Sequence, residues 1–412
     1  MSKCNYFVGI DTGRYSNLAV VVDDQGTKVE SIKFDNNHKG CSMLMEHLSK
    51  HNDSCLIGLE GLGTCSNILT QRLSSYNFVI KPIMPINIKR HKDYFTQDTK
   101  SDEYDAYVIA DFLRLRHSYI KELNIQKYKN LTAIRELSKL YKDFAKQKNA
   151  YLNMLNQAIM EIFPEYITDG IFSKINCKSS LVLLSELPTP KDIANTAFKK
   201  LETIISKNSR GHMGNEEIKQ LYTQATLSLN EALDYNASGL RISSLAKMIL
   251  YIQQEQQRIK RLISSYLKDI PEAEILLSLP GVDAVLCARF LSSIGSIDKF
   301  ADSNKLALYC GVACLDDKSG KRQRTKRAFR VNHNAKDAIM QIAHCSIRFN
   351  PASKEFYARK RKEGKKHWQA VKALARNIIR VVYAMLKNNT KYNPSLQRQL
   401  KTQKPRQVAI YC

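Results

Sequence analysis

Two short apolar runs near the start of the chain each end on a carboxylate. Tyr6-Phe7-Val8-Gly9-Ile10 leads into Asp11, and Leu56-Ile57-Gly58-Leu59 leads into Glu60. Apolar runs of this length read as buried strands, so each acid stands at the edge of a sheet and not at random in solvent. Further on, Lys100-Ser101-Asp102-Glu103-Tyr104-Asp105-Ala106 carries two aspartates three residues apart. On a helix that spacing puts both on one face. Four such carboxylates can converge on a divalent cation. Magnesium takes hard oxygen ligands and needs few from protein where phosphate and water supply the rest, an arrangement suited to phosphodiester chemistry.

The segments around these acids order as α/β. Strands are expected over 6–10, 19–22 and 29–34, with Asp11-Thr12-Gly13 breaking the first and Asp24-Gln25-Gly26 turning between the second and third. A helix over 43–48 precedes the strand at 56–59. Gly61 and Gly63 mark a tight turn before a helix over 68–73. A strand over 79–84 follows, then Pro85, then a helix over 104–115. Strand, turn, strand, strand, and then helix and strand in alternation, is the order of a RuvC-like or ribonuclease-H-like sheet.

Beyond this the pattern becomes helical. Leu131, Ile134, Leu137, Tyr141, Phe144, Tyr151, Leu155 and Ile159 recur near heptad spacing, which predicts a long amphipathic helix ending near Phe163-Pro164. Leu245, Ile249, Ile252, Ile259, Leu262 and Tyr266 form a matching run, and the two are expected to pair as a long antiparallel coiled coil. Between them, Ser179 to Asn236 reads as a helical insertion. A mainly helical region begins near Leu276. There Leu279-Pro280-Gly281-Val282, ahead of a helix over 284–294, resembles a helix-hairpin-helix turn that presents amides to phosphate. A plain Pro-Gly turn fits those residues equally well. The expected domains are 1–120, 121–270 with the insertion at 179–236, 271–390, and a basic tail at 391–412.

Charge narrows the partners. The net charge of +25 on 412 residues calls for a polyanion, and nucleic acid fits better than an anionic membrane. No run of ~18 apolar residues is present, so no spanning helix is expected, and the start of the chain lacks the pattern of a signal peptide. The ten cysteines form no CxxC pair and read as small buried hydrophobes with free thiols, which fits a reducing cytoplasm. His344 reads as structural, and Trp368, the single tryptophan, as a packing residue more than a base-stacking platform.

Residues 318–366 hold 16 Lys or Arg against three acids, about half of the net charge in an eighth of the chain. The first part, Lys318-Ser319-Gly320-Lys321-Arg322-Gln323-Arg324-Thr325-Lys326-Arg327, is too polar and glycine-interrupted to bury and is expected to be a loop. Charge runs are usually solvated faces, but this concentration favours phosphate contact. Ser319 sits among the cations. A serine hydroxyl is a weak nucleophile unless activated, and taken alone this one reads as a turn residue. Arg359, Arg361 and Lys365, with Tyr357 beside them, extend the candidate phosphate contacts.

In combination these motifs resemble the insertion-sequence-110 family of transposases, the RNA-guided bridge recombinases, over nearly the whole length. Gly9-Ile10-Asp11, Leu59-Glu60 and 100–106 look like the DEDD motif of a RuvC-like domain. Leu279-Pro280-Gly281-Val282, Tyr309-Cys310-Gly311-Val312, Ser319-Gly320, Ile347-Arg348-Phe349-Asn350-Pro351, 359–365 and Ala375-Arg376-Asn377 continue the match. The resemblance implies that Asp11, Glu60, Asp102 and Asp105 are catalytic and ligate Mg2+ or Mn2+, and that Ser319 attacks a DNA phosphate and forms a covalent phosphoserine link. It implies donor and target DNA as substrates, a non-coding bridge RNA, a dimer or a tetramer built as a pair of dimers, and composite sites made by domains of different protomers. A cytoplasmic, nucleoid-associated location follows from it.

One departure stands out. Val331 occupies a position where the family carries glycine, and a valine does not take a positive φ cheaply, so the chain is expected to run differently there. Two other readings compete. A RuvC-like nuclease or resolvase would use the same four acids to hydrolyse DNA with metal-activated water, leaving no covalent adduct. A non-enzymatic nucleic-acid binder would explain the charge but not the acids, since carboxylates repel phosphate.

Overall fold

The computed structural model describes residues 5–50, 55–63, 65–94, 101–209, 213–229, 234–319, 322–327 and 331–394, with the strands at 314–319 and 322–327 described by their backbone. The chain forms two units, 1–129 and 130–412.

In the first unit β1 (Tyr6–Thr12), β2 (Ser16–Asp23) and β3 (Lys28–Asp35) form an antiparallel meander. α1 (His38–Ser49) leads to β4 (Cys55–Glu60), and α2 (Asn67–Ser75) leads to β5 (Val79–Ile83). β4 lies parallel to β1, and β5 parallel to β4, giving the order β3-β2-β1-β4-β5. This mixed five-stranded sheet is the ribonuclease-H-like arrangement expected from the element order. The first strand does not break at Asp11. Its ladder with β2 continues through Asp11, opposite Leu18, and Thr12, opposite Asn17. Pro85 opens α3 (Pro85–Lys92), because proline lacks only an N–H that a first helical position leaves unpaired anyway. α4 (Asp102–Arg116) completes the unit.

Strand alternation sorts the two faces. Val8 and Ile10 pack with Leu44 and Leu48 of α1 and Leu69 and Leu73 of α2. Phe7 packs with Ala106, Ile109 and Leu113 of α4 on the other face, which is also the face of Gly9 and Asp11. The end of α4 is tied down by the buried Lys81 of β5, whose Nζ donates to the carbonyls of His117 (3.1 Å) and Ile120 (2.8 Å).

The second unit hangs on two long helices. α5 (Ile125–Ile162) begins just before it; then come α6 (Glu165–Thr168), α7 (Lys178–Glu186), α8 (Pro190–Ala194), α9 (Phe198–Ser209), α10 (Asn215–Leu227) and α11 (Tyr235–Leu267). α5 and α11 run antiparallel. Arg241 pairs with Glu161 at 2.9 Å, and Lys148 donates to Gln256 at 3.0 Å. Leu131 and Ile134 share a core with Ile259, Ile263 and Leu267, while Leu155 and Ile159 share another with Ile242, Leu245 and Ile249. The inward stripe of α11 departs from the expected one: Leu262 and Tyr266 are exposed, while Ile263 and Leu267 are buried. A 3.6-residue helix drifts off a strict heptad, and the stripe shifts by one residue over this length. The insertion is helical, as expected, and α7 to α10 pack on the second core through Leu184, Ile193, Leu201 and Leu221.

The rest of the unit is α12 (Pro271–Leu277), α13 (Ala284–Ile294), α14 (Ser303–Tyr309), β6 (Cys314–Ser319), β7 (Arg322–Arg327), α15 (His333–Phe349), α16 (Pro351–Lys362) and α17 (His367–Lys387). The basic segment expected to be a loop is instead an antiparallel hairpin, paired from Cys314–Arg327 to Ser319–Arg322. A ladder is made by main-chain groups, so polar side chains do not forbid it. Gly281 has φ +92°, and a Cβ there would stand 2.9 Å from the Ser346 amide nitrogen. Close packing on α15, with the positive φ, therefore requires glycine at this turn. Val331 needs no left-handed backbone: among the described non-glycine residues only Asn77 and Asn389 have positive φ. It fits against Gly311, where an added Cβ would meet its Cγ1 at 2.6 Å.

No helix among the described residues is long and apolar enough to cross a membrane. Cys41, Cys55, Cys65, Cys177, Cys287, Cys310 and Cys345 are free thiols. Burial pushes Cys287 and Cys310 up to about 12, so these two act as packing groups. Of the basic tail, residues 395–412 lie outside the described residues.

Candidate active site

The register of the central strands brings the first two acids together. Ile10 of β1 is level with Leu59 of β4, so Asp11 and Glu60, the next residue on each parallel strand, emerge side by side. By alternation both point to the face of Gly9 and Gly58. α4 crosses that face closely. A Cβ on Gly9 would meet the Ala106 carbonyl oxygen at 2.2 Å and the Ala110 nitrogen at 2.3 Å, and one on Gly58 would meet side chains of Ile83, Ile109 and Leu113 at 3.0–3.3 Å. Two glycines on adjacent strands thus let the helix backbone sit on the sheet.

The start of α4 then delivers the other two acids. Ser101 caps the helix, accepting from the Tyr104 amide at 3.1 Å. Asp102 and Asp105 lie in the first turn, where the helix dipole favours negative charge. Glu103 turns away to pair with Lys28 at 2.9 Å.

Asp11 and Glu60 sense the charges of the other acids. Burial raises the Asp11 carboxyl above its ordinary value, and the charges of Asp105 and then Asp102 raise it further. Glu60 is raised by burial, then by Asp11, and also by Asp105. Lys92 opposes both shifts, and its ammonium is ion-paired with Asp105. Next to it on α3, His91 Nε2 stands 2.8 Å from Asp111 of α4, and Arg114 holds the other Asp111 oxygen at 2.7 Å. These contacts fasten α3 to α4 beside the acids.

Lys92 is the residue that the sequence reading missed. Its helix was hidden behind Pro85. The available signal was proline followed by a run of basic residues, Lys89, Arg90, His91 and Lys92, which suits a short helix with cations in its last turn.

The donor set suits a hard divalent cation in kind: four carboxylates, two of them with their pKa raised by burial and by neighbouring carboxylates. As the side chains stand, no three His, Cys, Asp or Glu groups among the described residues are gathered closely enough to hold one metal ion. The positive charge among them is that of Lys92.

The remaining candidates lie in the second unit. Ser319 closes β6 and Arg322 opens β7 as the last pair of the hairpin; Lys318, Arg324, Lys326 and Arg327 occupy further ladder positions. Gly320 and Lys321 lie outside the described residues. The chain after the hairpin is anchored by Asn332, which caps α15 by accepting from Ala335 N at 3.0 Å and donates to the Tyr309 hydroxyl at 2.8 Å. Arg359, Arg361 and Lys365 lie in and just after α16. Arg359 lies over the Phe356 ring at 5.1 Å, Arg361 donates to the Lys365 carbonyl at 2.9 Å, and the Tyr357 hydroxyl meets His367 Nδ1 at 2.8 Å. Trp368 is not a packing residue. It is 61% exposed and touches the rings of His344 and His367.

Four acids at one end of a ribonuclease-H-like sheet, followed by a basic helical unit, fit a DNA-recombining enzyme, and the matches to known proteins make that class a transposase. Residues 8–164 match a family model described as a transposase of this DEDD type, and residues 273–358 match that of the transposase IS116/IS110/IS902 family. The chain belongs to the IS110 family of transposases. It is 25% identical to the insertion element IS116 44.8 kDa protein of Streptomyces clavuligerus, over 94% of this chain and 96% of that one. It is 24% identical to a Streptomyces coelicolor protein named as a mini-circle transposase for IS117, over 90% and 92%. It is also 24% identical to the insertion element IS900 42 kDa protein of Mycobacterium paratuberculosis, over 94% and 97%.

Proposed function

We propose that this transposase cuts and exchanges DNA strands with Asp11, Glu60, Asp102 and Asp105 as one catalytic centre and Ser319 as the nucleophile, and that a non-coding bridge RNA selects donor and target DNA. The observation that carries the reading is the register that sets Asp11 beside Glu60, with Asp102 and Asp105 in the first turn of the helix across that face raising the Asp11 carboxyl. The two family matches, one over each end of the chain, support it.

The four carboxylates would hold magnesium or manganese, which when bound supplies Lewis-acid polarisation of the scissile phosphate. The chain's own groups do the rest. Ser101 and the Gly9–Ala106 packing hold the start of α4 in place. Lys92 balances the charge of Asp105 when no cation is bound. The Ser319 oxygen bonds to phosphorus and gives up its proton as the bond to a deoxyribose oxygen breaks, and that oxygen is protonated. Lys318, Lys321, Arg322, Arg324, Lys326 and Arg327 offset the charge that develops on the phosphate. Arg359, Arg361 and Lys365 contact backbone phosphates. The long α5–α11 pair serves dimerisation as a coiled coil, and dimers pair into the working assembly.

The test is a strand-exchange reaction stopped with denaturant. DNA should remain covalently attached to the protein, with the link mapping to Ser319, and Ser319→Ala should bind DNA but give no adduct. Wild-type cleavage rates in Ser319→Ala, with free phosphate ends, would establish hydrolysis by a RuvC-like nuclease instead.

A further inference from the structure

The only tryptophan of the chain stands on the surface in a cluster of rings. Trp368, the second residue of α17, is 61% exposed. Its ring centroid lies 4.8 Å from that of His367 and 5.8 Å from that of His344, and the two imidazoles lie 5.5 Å apart, edge to face. His367 is held from behind: its Nδ1 shares a 2.8 Å hydrogen bond with the Tyr357 hydroxyl, and the two rings are 5.7 Å apart. Three helices, α15, α16 and α17, thus contribute rings to one patch. An indole this large is normally buried or partnered. Here its neighbours brace the plane and leave it open.

The surroundings are cationic. Lys365 and Lys366 immediately precede α17, and Arg361 is fixed to this stretch through its bond to the Lys365 carbonyl. Arg348 lies one turn beyond His344 along α15, on the same face, with its guanidinium 5.5 Å from the exposed Phe349 ring. Of the two acids between Arg348 and Trp368, Glu355 and Glu363, the one nearer α17 in sequence, Glu363, is already paired with Lys360 and Arg359. An open aromatic plane flanked by cations is the chemistry that takes a base on its face and the neighbouring phosphates on its rim. A duplex offers no free base face, and an acidic peptide would leave the indole unused.

We infer that this patch binds single-stranded DNA, with one unpaired base stacked on Trp368. The inference rests on the transposase reading, because strand breakage is what frees such a strand.

The test uses the single tryptophan as its own probe. Indole fluorescence of the full chain, titrated with oligothymidylate, should be quenched and saturate together with binding measured by the anisotropy of a labelled strand. Trp368→Ala should weaken that binding about 5- to 150-fold, the span of one base–aromatic stack, without changing the salt slope. Trp368→Phe should recover most of the loss. Binding that saturates without quenching, or equal quenching by a hairpin duplex, overturns the inference, and tighter binding of oligouridylate overturns the choice of DNA. Strand exchange by wild type with no quenching sinks this site alone. Quenching in a chain that forms no adduct sinks the nucleophile reading instead.

Discussion

Gly9 on the central strand and Ala106 on the helix beneath it meet backbone to backbone, so closely that a Cβ on the glycine would stand 2.2 Å from the Ala106 carbonyl oxygen. Asp11 is two residues from one partner and Asp105 is adjacent to the other. The contact therefore sets the distance between acids on two different elements. Gly9→Ala should push the helix off the sheet. Overpacking of this kind costs about 1–3 kcal/mol, readable as a lower urea midpoint. Strand exchange should fall further than stability, because Asp105 is displaced from Asp11. A variant with wild-type stability and activity would show that the helix is free to move.

Much of this site was legible because strand register and helix spacing are local. Apolar runs ending on Asp11 and Glu60 fixed two acids, and the i, i+3 pair Asp102 and Asp105 fixed the others. What lay hidden depended on tertiary context. Lys92 comes from a short helix that starts at Pro85, just past the expected strand over 79–84. The basic hairpin shows no apolar alternation, since its pairing lies in the main chain. On α11 the heptad template chose Leu262 and Tyr266, whereas the helix buries Ile263 and Leu267. The exposure of Trp368 is a property of the fold alone, which its residue type does not carry.

The acids set a pH dependence. Asp11 and Glu60 are both raised above their ordinary values by burial and by neighbouring carboxylates. Between the ordinary carboxylate range and the raised values, the folded chain binds more protons than the unfolded one. Stability is therefore lost as pH rises through that window. Asp11→Asn removes one repelled charge, so it should flatten this slope and raise the melting temperature at neutral pH while abolishing strand exchange. Calorimetric melts across the window give the slope. Full recombination by Asp11→Asn would sink the assignment of the acids.

Lys92 and a divalent cation answer the same negative charge. Removing the ammonium with Lys92→Met should tighten Mn2+ binding, measured by calorimetry, by about two- to fivefold, the equivalent of ~0.5–1 kcal/mol for a partly exposed ion pair. The metal-free variant should melt at a lower temperature than wild type, because Asp105 has lost its partner. Manganese should then stabilise it more than it stabilises wild type. Weaker Mn2+ binding in the variant would mean that Lys92 pre-organises Asp105 for the ion and does not compete with it.

The hairpin cations should act through phosphate alone. Binding to duplex DNA releases counterions, with a log–log slope of about −0.9 per neutralised phosphate. Lys321, Arg322 and Arg324 replaced together by Ala should flatten the slope by roughly the share of three contacts, or ~2.7. The loss should be uniform across DNA sequences, because a phosphate contact carries no base information. The backbone ladder from Cys314–Arg327 to Ser319–Arg322 does not depend on these side chains, so the fold should survive. In the proposed mechanism these cations both attract DNA and offset charge on the reacting phosphate, two effects that salt separates. The triple variant should therefore recover DNA binding at low salt, where the weakened binding saturates, but only part of its strand exchange, whereas Asp11→Asn should show no exchange at any salt. A slope unchanged by the triple substitution would make the basic hairpin a solvated face.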